Sequence, residues 1–123
     1  MTTIAFPEPD SAVLGRREAI IAGLARLLPA DAVITSEDER RAFETDALTA
    51  YRRMPLAVVL PSTTEEVAAV LRFCHAEGVR VVPRGAGTSL SGGAIPQEDA
   101  VVLGVAKMNR VLDIDFVNRT ARV

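Results

Sequence analysis

The sequence of 123 residues is poor in aromatic side chains and has no excess of positive charge. It contains four Phe, one Tyr and no Trp, so stacking surfaces for nucleic-acid bases are not expected. Fourteen Lys and Arg against sixteen Asp and Glu give a formal charge of −2. This balance lacks the basic surface that a polyanion requires, and no nucleic-acid partner is expected.

Cysteine and histidine are each present only once, as Cys74 and His75. A single thiol excludes an internal disulfide and a thiolate metal cluster, and no group of His, Asp and Glu has the spacing of metal ligands. We assign no metal. Cys74 continues the apolar stripe of a predicted helix and is interpreted as a core residue, whereas His75 lies in the last turn of that helix. Neither is a candidate site residue.

Long apolar runs are also missing. The best, 56–60 and 100–106, fall far short of the roughly 18 residues that span a bilayer. Residues 1–10 lack the basic and apolar regions of a signal peptide. We therefore expect a cytoplasmic protein, with at most peripheral association at the inner face of a membrane.

Two helices are predicted in the first part of the chain. Residues 11–28 place apolar side chains near a 3.6-residue period, and Pro29 closes the stretch. A second, short helix begins at Ser36, where a hydroxyl followed three residues later by an acid is a capping pattern, and ends near Asp46. Tyr51-Arg52-Arg53 follows, either as a segment that faces a substrate or partner or as solvated charge beside a packed tyrosine.

From residue 55 onward, short β-branched runs separated by turn residues predict strands. The predicted strands are 57–60, 79–82, 100–103, 111–116 and 120–123. Ser62 begins a helix between the first two, and Gly78 ends it, which is typical of a β-α-β crossover. The fold class is thus α+β, with a helical segment over 1–54 followed by a β-α-β-rich domain over 55–123. Because the last pattern stops at Val123, we expect the N-terminal part of a longer protein.

The most specific feature is a glycine-rich segment, 83–93, which follows the second predicted strand. It holds four glycines and three hydroxyl residues in eleven positions. Such a loop lets successive N–H groups converge on one anion, with Arg84 as a fixed positive charge. A diphosphate is the natural ligand. Glycine richness alone leaves a second interpretation open, a surface turn that binds nothing.

Spacing excludes two familiar phosphate-binding loops. The lysine of a Walker A loop is absent. A Rossmann fingerprint needs a glycine at the position of Leu90. It also needs a helix that starts within the loop, which Gly92, Gly93 and Pro96 prevent. A dinucleotide bound here must therefore be held by backbone amides of an irregular loop.

The order of these motifs resembles a known family. Residues 46–52, the strand that ends at Pro61, the helix that ends at 75–78 and the loop 82–93 are similar to FAD-linked subunits of glycolate oxidase. Those subunits belong to the vanillyl-alcohol-oxidase-type flavoproteins, whose FAD-binding domain is called PCMH-type. The resemblance covers almost the whole chain and implies the first half of such a domain.

The resemblance also implies where FAD binds. It places the pyrophosphate on Arg84, Gly85, Ala86, Gly87, Thr88, Ser89 and Leu90, with Pro83, Ser91 and Gly92 beside them and Pro61 near the cofactor. Relatives that attach the flavin covalently through this loop have a histidine where Thr88 stands, so non-covalent FAD is implied. Ser89 stands where many relatives have glycine.

The activity implied by the resemblance is oxidation of D-2-hydroxy acids such as glycolate or D-lactate to 2-oxo acids, with flavin N5 as hydride acceptor. The substrate-binding and base residues of the family lie in regions that this chain does not contain, so no catalytic residue is named and the 123 residues alone are expected to be inactive. The implied partners are a small 2-hydroxy acid, a second flavin-type subunit and an iron–sulfur subunit. Two alternatives stay open: a D-lactate or D-2-hydroxyglutarate dehydrogenase of the same family, and a non-catalytic interaction module that pairs through exposed strand edges.

Overall fold

The fold comes from a computed structural model that describes residues 5–123. Residues 1–4, part of the stretch in which a signal peptide was excluded, lie outside the described residues. The helices are α1 (Ser11–Leu14), α2 (Arg17–Ala25), α3 (Glu37–Arg40) and α4 (Thr64–Glu77), with 3-10 turns at Ala30–Ala32 and Arg41–Phe43. The strands are β1 (Val33–Ile34), β2 (Ala57–Val59), β3 (Arg80–Arg84), β4 (Ala100–Gly104), β5 (Asp113–Asp115) and β6 (Thr120–Arg122). Within residues 5–123, no helix is both long enough and apolar enough to cross a bilayer.

Four strands form one sheet in the order β1-β2-β4-β3. Strands β2, β4 and β3 run parallel, and β1 adds an antiparallel edge. Strands β5 and β6 form a separate antiparallel hairpin. Because β2, β4 and β3 are parallel, their carboxyl ends lie at one end of the sheet. The predicted α+β class is confirmed, although β1, only two residues long, was missed.

The predicted crossover between β2 and β3 is confirmed, and local signals account for it. The Thr63 hydroxyl accepts a hydrogen bond from the Glu66 N–H (3.1 Å), and the Glu66 carboxylate accepts one from the Ser62 N–H (2.7 Å). The cap residue is therefore Thr63, not Ser62. Gly78 ends α4 in the left-handed conformation, at φ +67°. The crossover skips one place, since β4 lies between β2 and β3.

The helix predicted over 11–28 is broken into α1 and α2 and ends at Ala25, three residues early. At the break, the Arg16 guanidinium donates to the Glu77 carboxylate (2.7 Å) and to the Glu77 carbonyl (2.9 Å), at the end of α4. The backbone of Arg16 lies outside the helical region, at φ −104° and ψ 14°. The chain thus bends where Arg16 forms hydrogen bonds to the end of α4. The helical period of the sequence runs through this point and does not reveal the bend.

The helix predicted from Ser36 to about Asp46 is also shorter. An α-helix covers only Glu37–Arg40, and a 3-10 turn continues to Phe43. The Ser36 hydroxyl donates to the Glu39 carboxylate, so it caps none of the first backbone N–H groups. The Glu44 carbonyl then accepts a hydrogen bond from the Arg53 N–H (2.8 Å) instead of a helical one, and the chain after Phe43 forms a loop.

The main core lies between the sheet and the helices α2 and α4. Ile20 and Leu24 of α2 and Val70 and Cys74 of α4 pack with side chains of β2 and β4, such as Val101. Cys74 is 1% exposed, and its burial raises the pKa of its thiol to about 11. This agrees with the interpretation of Cys74 as a core residue, and His75 next to it is exposed.

The other face of the sheet is covered as well. Val58 and Val102 are fully buried but do not belong to the helix-side core, because side chains alternate between the two faces of a strand. Ala94, Ile95 and Pro96, in the segment that returns from β3 to β4, are also buried. The far end of the glycine-rich segment is therefore packed into the protein.

Candidate functional site

The glycine-rich loop leaves the sheet at the edge where the parallel strands end. Pro83 and Arg84, predicted as loop residues, are the last two residues of β3 and pair with Leu103 and Gly104 of β4. The strand extends two residues further than predicted because β4 provides a partner for these positions. The loop proper is 85–93, which contains no helix. Ligands of open parallel sheets bind beyond the carboxyl ends of the strands, which is where this loop lies.

A hollow of about 320 Å³ opens beside the start of the loop. Its lining residues are Gly85 and Ala86 from the loop and Val105, Ala106, Met108 and Asn109 from the segment after β4. A Cβ atom at Gly85 would meet nothing within 4 Å, so the backbone there faces open space. The four residues after β4 were missed in the sequence, although their position after a strand of a parallel sheet was a usable signal.

A second hollow, of about 220 Å³, shares Met108 with the first. Its other lining residues are Ser62, Thr63, Thr64 and Glu65 at the start of α4, together with Arg110, Leu112 and Val123. Pro61, predicted to lie near the cofactor, is fully buried and lines neither hollow. It lies just beyond β2, at the same edge of the sheet.

A run of backbone N–H groups in the loop is available for a ligand. From Ala86 to Leu90, no backbone N–H donates a hydrogen bond to another residue within the described part of the chain. The Ser89 hydroxyl accepts from the Gly93 N–H (3.1 Å) and the Ser91 N–H (3.4 Å), and its own O–H can still donate to a ligand. Thr88, Leu90 and Ser91 are exposed. Five successive N–H groups are thus available as donors to a ligand, and successive backbone N–H groups of a loop are a common anion-binding arrangement.

The Arg84 guanidinium is turned into the protein and does not line the hollow. Its Nη1 donates to the Thr45 carbonyl (2.7 Å), and its Cζ lies 5.5 Å from the centre of the Phe43 ring. A Cβ atom at Gly87 would lie 2.5 Å from this Cζ. Arg84 therefore holds its charge directly against the loop at Gly87, as a fixed group.

The segment Tyr51-Arg52-Arg53 is engaged within the fold. The Tyr51 ring packs edge-on against Phe6 (5.4 Å between centres), and the Arg53 guanidinium lies over the same ring (4.7 Å). Arg53 also lies 3.6 Å from the Glu98 carboxylate. These contacts fit the interpretation of a packed tyrosine beside solvated charge.

Comparison with known protein families gives a match to the FAD binding domain over residues 55–123. The chain belongs to this family. FAD is thus the cofactor of the domain. The family match begins just before β2 and includes all three parallel strands, both hollows and the loop.

Known relatives share the sequence of nearly the whole chain. The chain is 45% identical to the glycolate oxidase subunit GlcD of Escherichia coli strain K12 over 119 residues, 97% of this chain and 23% of the relative. It is 43% identical to a D-lactate dehydrogenase of Archaeoglobus fulgidus over 90 residues, 72% of this chain and 20% of the relative. The chain thus spans less than a quarter of the length of these relatives.

A solved structure of alkyldihydroxyacetonephosphate synthase has the same fold, with a TM-score of 0.75 at 22% identity. The match covers 96% of this chain and 23% of that one. The resemblance to PCMH-type FAD-binding domains is therefore confirmed, and with it the fold that the sequence predicted. The division of the chain at residues 54 and 55 and the individual site residues stay predictions.

Proposed function

We propose that this FAD-binding domain serves an oxidoreductase that oxidises a D-2-hydroxy acid of the glycolate or D-lactate type to the 2-oxo acid. The relatives support the substrate class, since their names include glycolate, D-lactate and, for a protein of Xanthomonas citri pv. viticola, D-2-hydroxyglutarate. These substrates share a hydroxyl group next to a carboxylate. Bound FAD supplies the acceptor for the hydride from the α-carbon of such an acid.

The role of the described residues in this proposal is to bind and orient the cofactor. The observation that carries it is the run of five N–H groups from Ala86 to Leu90, which donate to no other described residue. They point to the loop as the holder of the FAD pyrophosphate, with Arg84 fixed against it. The proposed site consists of Pro83, Arg84, Gly85, Ala86, Gly87, Thr88, Ser89, Leu90, Ser91 and Gly92, with Pro61 as a buried neighbour.

Flavin reduction tests the proposed substrate class. The protein, expressed from its complete reading frame and loaded with FAD, is mixed without oxygen with glycolate, D-lactate or D-2-hydroxyglutarate, and the absorbance of oxidised flavin is followed. We expect at least one of the three acids to bleach the flavin, and L-lactate, the matched control, to leave it oxidised. Binding of FAD without reduction by any of the three would refute the substrate class while leaving the cofactor site standing. The chain of residues 1–123 alone is expected to bind FAD weakly and to oxidise none of these acids.

We further propose that the flavin is held without a covalent bond, since Thr88 occupies the position at which covalent relatives have histidine. Denaturing the loaded protein in acid is expected to release all yellow colour into the supernatant. Flavin retained on the washed precipitate would contradict this. Thr88→His is the companion variant, because it introduces an imidazole nucleophile at that position.

The proposed partners are a second flavin-type subunit and an iron–sulfur subunit, in the cytoplasm or at the inner face of the membrane. Support comes from the relative GlcD, which is named as a subunit of glycolate oxidase.

A non-catalytic interaction module is the second candidate function. It is favoured by apolar side chains on the β5–β6 hairpin that are more than half exposed, among them Ile114, Phe116 and Val117. A wild-type protein that binds no FAD but forms a stable complex with another subunit through this hairpin would favour the second candidate.

A further inference from the structure

A buried carboxylate lies beneath the glycine-rich loop, and the function proposed above does not use it. Asp46 is 5% exposed. Its Oδ1 accepts from the Leu48 N–H (2.9 Å), and its Oδ2 accepts from the Ala94 N–H (3.2 Å). The first bond forms a local turn, whereas the second joins residues 48 positions apart. A buried carboxylate needs compensating partners, and here backbone N–H groups provide them.

The neighbouring residue holds the other end of the loop. The Thr45 carbonyl accepts from Arg84, the last residue before the loop (2.7 Å), while Ala94, bound to Asp46, is the first residue after it. The Thr45 hydroxyl in turn donates to the Tyr51 carbonyl (2.8 Å). Thr45 and Asp46 thus fix both ends of the loop 85–93.

A packing contact adds to these two bonds. A Cβ atom at Gly92 would lie 3.6 Å from Leu48 Cδ2, which places the Leu48 side chain against the end of the loop. The turn 45–48 therefore contacts the loop at its start, at its end and at Gly92. Between these contacts lie the N–H groups of Ala86 to Leu90, which have no partner among the described residues.

We infer that Asp46 is a positioning residue for the cofactor loop: it orders the loop before FAD binds, by holding the Ala94 end while Thr45 holds the Arg84 end. A loop whose ends are already fixed loses less conformational entropy when it closes on a ligand, so its affinity is higher. Asp46 is buried and lines neither hollow, so in this inference it acts through the loop. The inference rests on the proposed function of the loop as the pyrophosphate holder.

Asp46→Asn is the sharpest test, because asparagine keeps the size and shape of the side chain. It can accept from only one of the two N–H groups, so either the Leu48 or the Ala94 N–H loses its acceptor. We expect the Kd of FAD to rise about tenfold, equivalent to about 1.4 kcal/mol. In the protein without FAD, we expect hydrogen exchange of the amides 93–95, which donate to Ser89, Asp46 and Gly92, to accelerate while the amides of β4 stay protected.

Asp99→Asn is the matched control. Asp99 is 1% exposed, and its Oδ2 accepts from the Asp10 N–H (2.8 Å) with Arg80 at 3.5 Å. It precedes β4 and so lies at the edge of the sheet opposite to the loop. This variant removes the same charge from an equally buried site. We expect it to lower Tm but to leave the Kd of FAD within about twofold of wild type and the exchange of the amides 93–95 unchanged.

Two outcomes overturn the inference: equal effects of the two variants on the Kd of FAD at temperatures where both are folded, or unchanged exchange of the amides 93–95 in Asp46→Asn. A wild-type protein that binds no FAD refutes the proposed function instead, and the exchange measurement still decides whether Asp46 orders the loop. If Asp46→Asn does not fold, Asp46→Ser takes its place, because a serine hydroxyl can accept from Leu48 but is too short to reach Ala94 as well.

Discussion

Gly87→Val is expected to lower the affinity for FAD by at least about a hundredfold, a free-energy loss of about 2.7 kcal/mol. Gly87 has φ +72°, a conformation that a β-branched residue avoids at a cost of roughly 1–2 kcal/mol. Its new Cβ would also lie 2.5 Å from Cζ of Arg84. Arg84 cannot withdraw without breaking its bond to Thr45 and leaving the Phe43 ring. Either the loop moves or Arg84 gives up these contacts, and both changes disturb the proposed pyrophosphate site.

Gly78→Val is the control that separates backbone strain from loss of the site. Gly78 has φ +67°, and a Cβ atom there meets nothing within 4 Å. Gly78→Val thus makes the same substitution as Gly87→Val, with nearly the same backbone strain. Gly78, however, lies at the end of α4, away from the loop. Titration of FAD by flavin fluorescence is expected to give a wild-type Kd for Gly78→Val, with a stability loss of roughly 1–2 kcal/mol. Wild-type affinity in Gly87→Val would show that the pyrophosphate is held elsewhere.

The loop was predictable from the sequence because its composition is local information. Four glycines and three hydroxyl residues follow a strand, and no distant contact is needed to recognise them. Its anchors were not predictable in this way. Arg84 meets Thr45 across 39 residues, and Ala94 meets Asp46 across 48. No spacing rule for a single sequence links such positions, so Arg84 was assigned a charge but not a partner.

The same distinction explains which elements of the fold were predicted well. Helix α4 carries its own start and stop, in Thr63 with Glu66 and in Gly78, so its existence and direction were predicted correctly. Strand β1 has only two residues and exists because Val33 and Ile34 pair with β2. The break between α1 and α2 likewise occurs where Arg16 meets Glu77, 61 residues away. Both features depend on tertiary partners that override the local pattern.

Leu24→Ala is expected to lower the free energy of unfolding by about 2–5 kcal/mol, the range for a leucine truncated in a closed core. Leu24 is 0% exposed and packs in the core that α2 and α4 form with the sheet. Leu27→Ala is the matched control, since Leu27 follows α2 and is 37% exposed. The loss of unfolding free energy in Leu27→Ala is expected to be well under half of that in Leu24→Ala. Urea denaturation followed by circular dichroism measures both.

The Leu24 result bears on the predicted division of the chain at residues 54 and 55. Val13, Ile20, Leu24 and Leu28 all belong to the segment 1–54, yet they share one core with β2 and β4. Those strands end at the edge where the glycine-rich loop emerges. A large loss in Leu24→Ala together with a weakened FAD site would mean that the helical segment stabilises the loop through the sheet. Equal, small losses in Leu24→Ala and Leu27→Ala would instead show that residues 55–123 hold their fold without the cover that α2 provides.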